Sequence, residues 1–353
     1  MIPGLKGLAV GLIGGVIAAT SHVPLPWIIG PLVAVAASRF AGLEVSAFPG
    51  GRQAGQWIIG TVLGLYFTPE VSAIVGRLWW LLILAGGFAL ALGYLSGLLL
   101  HAMTGVDKTT AVFASVPGGA AEMSVLGERY GARVDVVAAA QSLRIMLVVL
   151  TVPTAFAALG LHGADPFQPG TTEVRPLGLA MLLIATLAGG VLLAQARVPN
   201  AFILGALAVA ISLTVGDINL SAIPRPLSNA AQWLIGCALG ARFERDFLRH
   251  APRLVGAIVV TVAVAIALSV LFAWAAASVT DLHPATLVLA TAPGGIAEMA
   301  ITAKVLDLGV PLVTSFHVTR VVILLTCSAP VFAVLRRHRA AHRHGSDGRG
   351  PVA

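Results

Sequence analysis

The sequence predicts an all-α polytopic membrane protein, made of two inverted repeats of about five transmembrane helices each plus a broken or re-entrant Pro-Gly-Gly helix. Three observations predict it. Of 353 residues, 58% are hydrophobic and only 10% charged, and the mean hydropathy is +0.93. A soluble domain carries about 25% charged residues, so a soluble globule and a disordered chain are both excluded. The apolar runs are too long and continuous for an outer-membrane barrel. Finally, the chain repeats itself.

Residues 113–127, FASVPGGAAEMSVLG, match residues 289–303, LATAPGGIAEMAITA, at an offset of 176. Downstream, Gln141-Ser142-Leu143-Arg144 faces His317-Val318-Thr319-Arg320. Upstream, Gln56-Trp57-Ile58-Ile59-Gly60 faces Gln232-Trp233-Leu234-Ile235-Gly236, and Val23-Pro24 faces Val198-Pro199 at an offset of 175. The expected organisation is a first membrane repeat over 1–160, a polar linker over 161–177, a second repeat over 178–335 and a basic tail over 336–353.

Each repeat holds six apolar pieces, near 5–20, 27–40, 53–67, 78–102, 108–128 and 135–159 in the first, and near 177–196, 201–214, 229–241, 254–278, 284–306 and 310–335 in the second. A crossing needs about 20 apolar residues. The second and third pieces are short, and the fifth is interrupted by Pro-Gly-Gly. Loop charge argues the topology. Arg242, Arg245, Arg249 and Arg253 precede the fourth piece of repeat two, and Arg336, Arg337, Arg339, Arg343 and Arg349 follow the sixth. Both groups are expected in the cytoplasm, so the three pieces between them must cross an even number of times. A re-entrant fifth piece is the simplest solution. It gives ten crossings, puts both termini inside, and leaves only Arg77, Arg175, Arg225 and Lys304 of the basic loop residues outside. Five crossings per repeat turn the copies upside down relative to each other, a plan shared by many secondary transporters. Two alternatives stand beside it: six crossings per repeat, or a crossing fifth piece with a short piece on the surface.

The two cysteines, Cys237 and Cys327, lie in apolar segments and form neither a disulfide framework nor a zinc site. The net charge of +7 belongs to basic loops and tail, so nucleic acid is not an expected partner. No cleavable secretion signal is expected, since Met1-Ile2-Pro3-Gly4 lacks a basic start.

The candidate site is Ser115, Pro117, Gly118, Gly119 and Glu122, with the repeat Thr291, Pro293, Gly294, Gly295 and Glu298. Proline and paired glycines break a helix. At membrane depth the freed backbone must face protein or a watery cavity. The resuming half-helix points its positive end there, where anions bind and a carboxylate is favoured. Glu122 and Glu298 can hold a cation or a proton; the alternative is that each caps its own helix. Arg144 and Arg320 follow 22 residues after each glutamate, inside apolar sequence. Three roles are open to them: pairing with the glutamates, gripping an anionic substrate, or snorkelling to the interface. Gln141 and His317 share a helix face with these arginines, three positions before. Gln56 and Gln232, with Gly60, Gly64, Gly236 and Gly240, read chiefly as helix packing. The tail histidines His338, His342 and His344 read as part of a solvated tail rather than a metal site. No Ser-His-Asp arrangement, P-loop or dinucleotide motif is present.

The paired PGG-x-AEM blocks with their downstream arginines resemble the AbrB family of bacterial membrane proteins, built from two AbrB duplication domains. The resemblance covers nearly the whole chain except the tail. It implies a regulator of gene expression or, under another family description, an ammonia monooxygenase. It is distinct from the small DNA-binding transition-state regulator of the same name, whose sequence pattern is absent. The family is also distantly similar to cation/proton antiporter and anion transporter folds, which supports the Pro-Gly-Gly blocks as the central site. The leading expectation is a secondary carrier, not an enzyme, in the bacterial inner membrane. Its partners would be lipid, a small solute, anionic in one reading, and a proton or sodium ion; a homodimer is allowed, and no cofactor is expected. A membrane-embedded regulator acting without DNA contact is the alternative. An oxygenase ranks last, because metal ligands at suitable spacing are not seen.

Overall fold

A computed structural model describes residues 3–163, 167–243, 251–324 and 326, and the regular elements among them are all helices. The first half supplies α1 (Pro3–Thr20), α2 (Pro26–Phe40), α3 (Gly51–Gly64), α4 (Pro69–Arg77), α5 (Trp79–Thr104), α6 (Lys108–Ser115), α7 (Ala120–Arg129) and α8 (Val134–Ala158). The second half supplies α9 (Pro176–Gln195), α10 (Ala201–Val215), α11 (Arg225–Gly240), α12 (Pro252–Ala277), α13 (Pro284–Thr291), α14 (Ile296–Val305) and α15 (Val310–Leu324). The tail and the loop arginines Arg245 and Arg249 lie outside the described residues.

Local sequence sets these boundaries. Proline opens α2, α4, α9, α12 and α13 at the first turn, where its missing N–H costs nothing. Asp107 caps α6 by accepting from the Thr110 amide at 2.8 Å, and Thr68 caps α4 through the Val71 amide. Five helices, α1, α5, α8, α9 and α12, are long and apolar enough to cross a membrane, while α2, α10 and α15 are shorter and apolar. The third apolar piece forms α3, and beyond it the chain turns by 91° into α4, a short helix that the sequence reading did not give.

The helices sort into two groups. In one, α1, α2 and α3 pack with α9, α10 and α11; in the other, α5–α8 pack with α12 and α14, and α12 with α13. Glycine lets the first group close up. Gly14 of α1 meets Gly30 of α2 backbone to backbone, and Gly189 of α9 meets Gly205 of α10 in the same way. Gly60 and Gly64 lie against Ile203 and Leu207 of α10, and Gly236 and Gly240 against Ile28 and Leu32 of α2. The reading of those glycines as packing residues therefore holds.

The interrupted fifth segment re-enters. At its base, the Thr110 hydroxyl accepts from the Arg133 amide at 2.9 Å. Partway in, Phe113 of α6 stacks on Tyr130 with ring centroids 5.9 Å apart, and Gly127 of α7 packs on Phe113. A continuous helix would hold residues 113 and 127 about 21 Å apart at 1.5 Å per residue, so α6 and α7 run in and back. The second copy closes the same way, with the Gly309 amide donating to the Thr286 hydroxyl at 3.3 Å.

The two hairpins enter from opposite faces. Helix α8 starts at the base of the first and, at about 1.5 Å per residue, carries the chain some 37 Å away into the linker. There the Gly163 amide donates to the Leu306 carbonyl at the base of the second hairpin. The same face gathers Gly170 against the Leu65 carbonyl and the Ala222 amide against the Glu173 carbonyl. The opposite face of the first helix group gathers Ser46 on Pro3 and Arg39 on the Phe243 carbonyl. The halves are thus inverted, as the odd crossing count predicts.

Candidate functional site

The two tips are built alike. After Ser115, Pro117 cannot continue the helix, and the chain passes through Gly118 and Gly119 before α7 resumes. After Thr291, Pro293, Gly294 and Gly295 do the same before α14. Each break leaves carbonyls that lipid cannot satisfy. The next long helix satisfies them. Arg144 donates to Ser115, Val116 and Gly118 carbonyls at 3.3, 3.1 and 3.3 Å. Arg320 donates to the Ala292 carbonyl at 2.8 Å and to that of Gly294. One turn earlier, Gln141 donates to Phe113 and Val116 at 2.8 and 2.7 Å, and His317 donates from Nε2 to Leu289 at 2.9 Å.

This corrects two expectations for the arginines. They do not snorkel: each is buried, at 5% exposure. Among the described residues neither is ion-paired with a glutamate; the two ion pairs there are exposed, Arg133 with Asp135 and Arg175 with Glu173. The physical reason is proximity. The sixth helix runs beside the descending half-helix and passes its broken end, so the nearest acceptors are backbone carbonyls.

The glutamates belong to the ascending half-helices. Each occupies the third position and folds its carboxylate back over the glycine that starts the helix, Glu122 over Gly119 and Glu298 over Gly295. That is the geometry of an acid answering the positive helix end. Glu298 is buried and Glu122 half-buried. Both look toward the other helix group. Helix α14 packs on α3, and Glu122 shares a cavity of about 10 Å³ with Gly118, Gly119, Pro199 and Asn200. Asn200 opens α10 in the left-handed region, at φ 52°, and accepts from Gln56 of α3 at 3.4 Å. Pro199 and Asn200 escaped the sequence reading, although Val198-Pro199 is a repeated pair. Arg242, just past α11, lies within electrostatic reach of Glu122, Glu298 and Arg52; burial brings its guanidinium down to about 10, with Arg52 pushing the same way and the acids opposing.

The tips meet. Pro117 and Pro293 line one cavity of about 20 Å³, together with Arg144, Ser115, Ser96 of α5 and Thr261 of α12. Arg144 and Arg320 are near enough to repel, and Glu298 near enough to attract Arg320. Sequence reasoning missed Ser96 and Thr261. The signal available was Ser96 and Ser269 in the fourth apolar pieces, one in each repeat. Among the described residues no three His, Cys, Asp or Glu side chains gather closely enough to hold a metal ion.

Fold and site together define a polytopic helical protein of membrane type, with two inverted re-entrant hairpins whose broken tips converge. The chain matches the family model AbrB, described as "Transition state regulatory protein AbrB", over residues 27–336, and it belongs to that family. It is 26% identical to the "Uncharacterized protein YhjN" of Bacillus subtilis (strain 168) over 367 residues, spanning 96% of this chain and 93% of that protein. It is 24% identical to the "Putative regulator AbrB" of Escherichia coli (strain K12) over 308 residues, spanning 86% and 88% of the two chains. No solved structure matches.

Proposed function

We propose that the protein is a secondary carrier for a small solute, working in the cytoplasmic membrane with both termini on the cytoplasmic side. One observation carries this reading: Pro117 and Pro293, brought in from opposite faces, line the same cavity. A packed helix bundle has no need of four half-helices ending at mid-depth, where every freed carbonyl requires a buried donor. A carrier does, because a site at the middle can be offered to either side by moving one helix group against the other. The cavity of about 20 Å³ holds little more than one water. Glu122 and Glu298 stand where the hairpin group meets the α1–α3 and α9–α11 group, and we assign them the coupling proton or sodium ion.

The test is uptake into proteoliposomes across a panel of small anions, cations and neutral solutes, with an imposed proton or sodium gradient. Gradient-driven flux of one class, abolished by Glu122→Gln and Glu298→Gln together, is the expected result. Absence of flux across the panel in a folded, reconstituted protein overturns it.

The name of the Escherichia coli relative favours a second reading, in which the protein acts on gene expression. A carrier can do this indirectly by setting the level of a solute that a separate regulator senses. Loss of the regulatory effect in the double glutamine variant supports that route. Retention of the effect without flux supports a sensor role instead.

A further inference from the structure

The two halves of the site are related by sequence yet differ in how their polar groups are used. In the second half the hydroxyls of Thr291, the match of Ser115, and of Ser269, one turn before the match of Ser96, are taken up by backbone. Ser269 donates to the Thr291 carbonyl at 3.1 Å, and the Thr291 hydroxyl bonds the Leu287 carbonyl at 2.8 Å with the Ser269 carbonyl at 3.4 Å. Arg320 grips its tip with one bond of 2.8 Å and a second to Gly294, and it does not line the shared cavity. In the first half two hydroxyl residues and the arginine reach the cavity. Ser96 and Ser115 both line the cavity. Arg144 lines it too, held to its tip only by bonds of 3.1 to 3.3 Å. Its Nε, like that of Arg320, is buried without a partner, but only Arg144 lines the cavity, and its side chain is at 5% exposure.

A buried guanidinium with a spare donor and no carboxylate paired to it is costly in a low-dielectric setting unless an anion completes it. The hydroxyl-bearing residues around it add donors of the kind that orient a small negative ion. The remaining lining, Leu92, Leu100, Ile258, Val262 and Ala265, is apolar, which strengthens any charge pairing inside.

From this we propose that the cavity between the hairpin tips is a binding site for a small monovalent anion, of halide or formate size, with Arg144 as counter-charge and Ser96 and Ser115 as donors, while the second half serves as its fixed wall. The volume of about 20 Å³ sets the size limit, and a single cation in contact sets the valence. The inference deepens the carrier reading by naming its substrate class, but it concerns equilibrium binding and needs no flux.

The experiment is titration of the purified full-length protein in neutral detergent with sodium chloride and sodium formate, gluconate being the size control. Binding is read by calorimetry and by the rise in unfolding temperature. Wild type should bind chloride or formate and not gluconate. Ser96→Ala and Ser115→Ala should each weaken binding about tenfold, the worth of one hydrogen bond to a charged partner. Ser269→Ala, in the matching helix, should leave it within about twofold. Arg144→Lys should weaken it as strongly as either serine variant; if that variant fails to fold, the serine pair against Ser269→Ala decides alone. Equal losses at Ser96 and Ser269, or no saturable binding of either anion by folded wild type, overturn the assignment. Anion binding without flux leaves the site and removes the carrier; flux of a neutral solute or cation without anion binding does the reverse.

Discussion

Arg320 donates to the Ala292 carbonyl at 2.8 Å, and 176 positions earlier Arg144 donates to the Val116 carbonyl at 3.1 Å. One arrangement thus appears twice, inverted across the membrane: a cation on a long helix holds the loose end of a broken one. The grip is tighter in the second half, which ranks the consequences of losing each.

Arg320→Ala leaves the Ala292 and Gly294 carbonyls without their donor. An unsatisfied buried acceptor costs about 1–3 kcal/mol, so the variant should lose more than about 2 kcal/mol. Arg144→Ala should lose less, because its bonds are longer. Unfolding temperatures in one detergent check the order. Equal losses, or a greater loss at Arg144, contradict it.

The glutamates fold over Gly119 and Gly295, where a Cβ would collide with the carboxylate. The colliding atom is the free end of a side chain, so the backbone can stay in place. Gly119→Ala and Gly295→Ala should therefore keep the fold, within about 1 kcal/mol, and reduce gradient-driven flux several-fold by displacing the acid. Circular dichroism and proteoliposome flux check the two halves of this outcome.

Close helix crossings make a different demand. A Cβ on Gly30 would meet the Gly14 backbone, and backbone cannot step aside cheaply. Gly30→Leu should destabilise by about 3 kcal/mol or more, at the upper end of overpacking costs. Gly256 of α12 has nothing within 4 Å of the same position, and Gly256→Ala should be neutral or mildly stabilising. Thermal unfolding of the two variants measures the contrast.

Hairpin bases on opposite faces can be read chemically. In a background lacking Cys237 and Cys327, Glu128→Cys and Val305→Cys place exposed thiols near the bases of the first and second hairpins. A membrane-impermeant maleimide applied to one side of sealed vesicles should label one and spare the other. Labelling of both from the same side contradicts the inverted plan.

Much of this architecture was legible because duplication leaves a ruler in the chain. Helices α6, α7 and α8 begin at Lys108, Ala120 and Val134, and their counterparts α13, α14 and α15 at Pro284, Ile296 and Val310, as an offset of 176 requires. The re-entrant turn followed from counting arginine-rich loops, because lysine and arginine report sidedness without knowledge of packing. The partners of Arg144 and Arg320 were not legible. Sequence presents glutamates as the natural partners for arginines, but backbone carbonyls become acceptors only once a helix is broken beside them. Helix α4 was hidden for a related reason: Thr68-Pro69-Glu70 signals a helix start, yet nothing local reports a bend of 91°. The unequal use of Ser96 and Ser269 was not legible either: they lie in matching helices but three positions out of register, one turn apart, and what each hydroxyl meets depends on the segment packed beside that turn.

The convergence of the two tips is the claim on which the site depends, and paired cysteines test it most directly. With the native thiols removed, Ser115→Cys and Pro293→Cys face one cavity. A short homobifunctional thiol reagent, shorter than about 8 Å, should join residues 115 and 293 within a single chain, as detected by mass spectrometry after digestion. Both thiols reacting singly, with no intramolecular link formed, would mean that the tips do not meet.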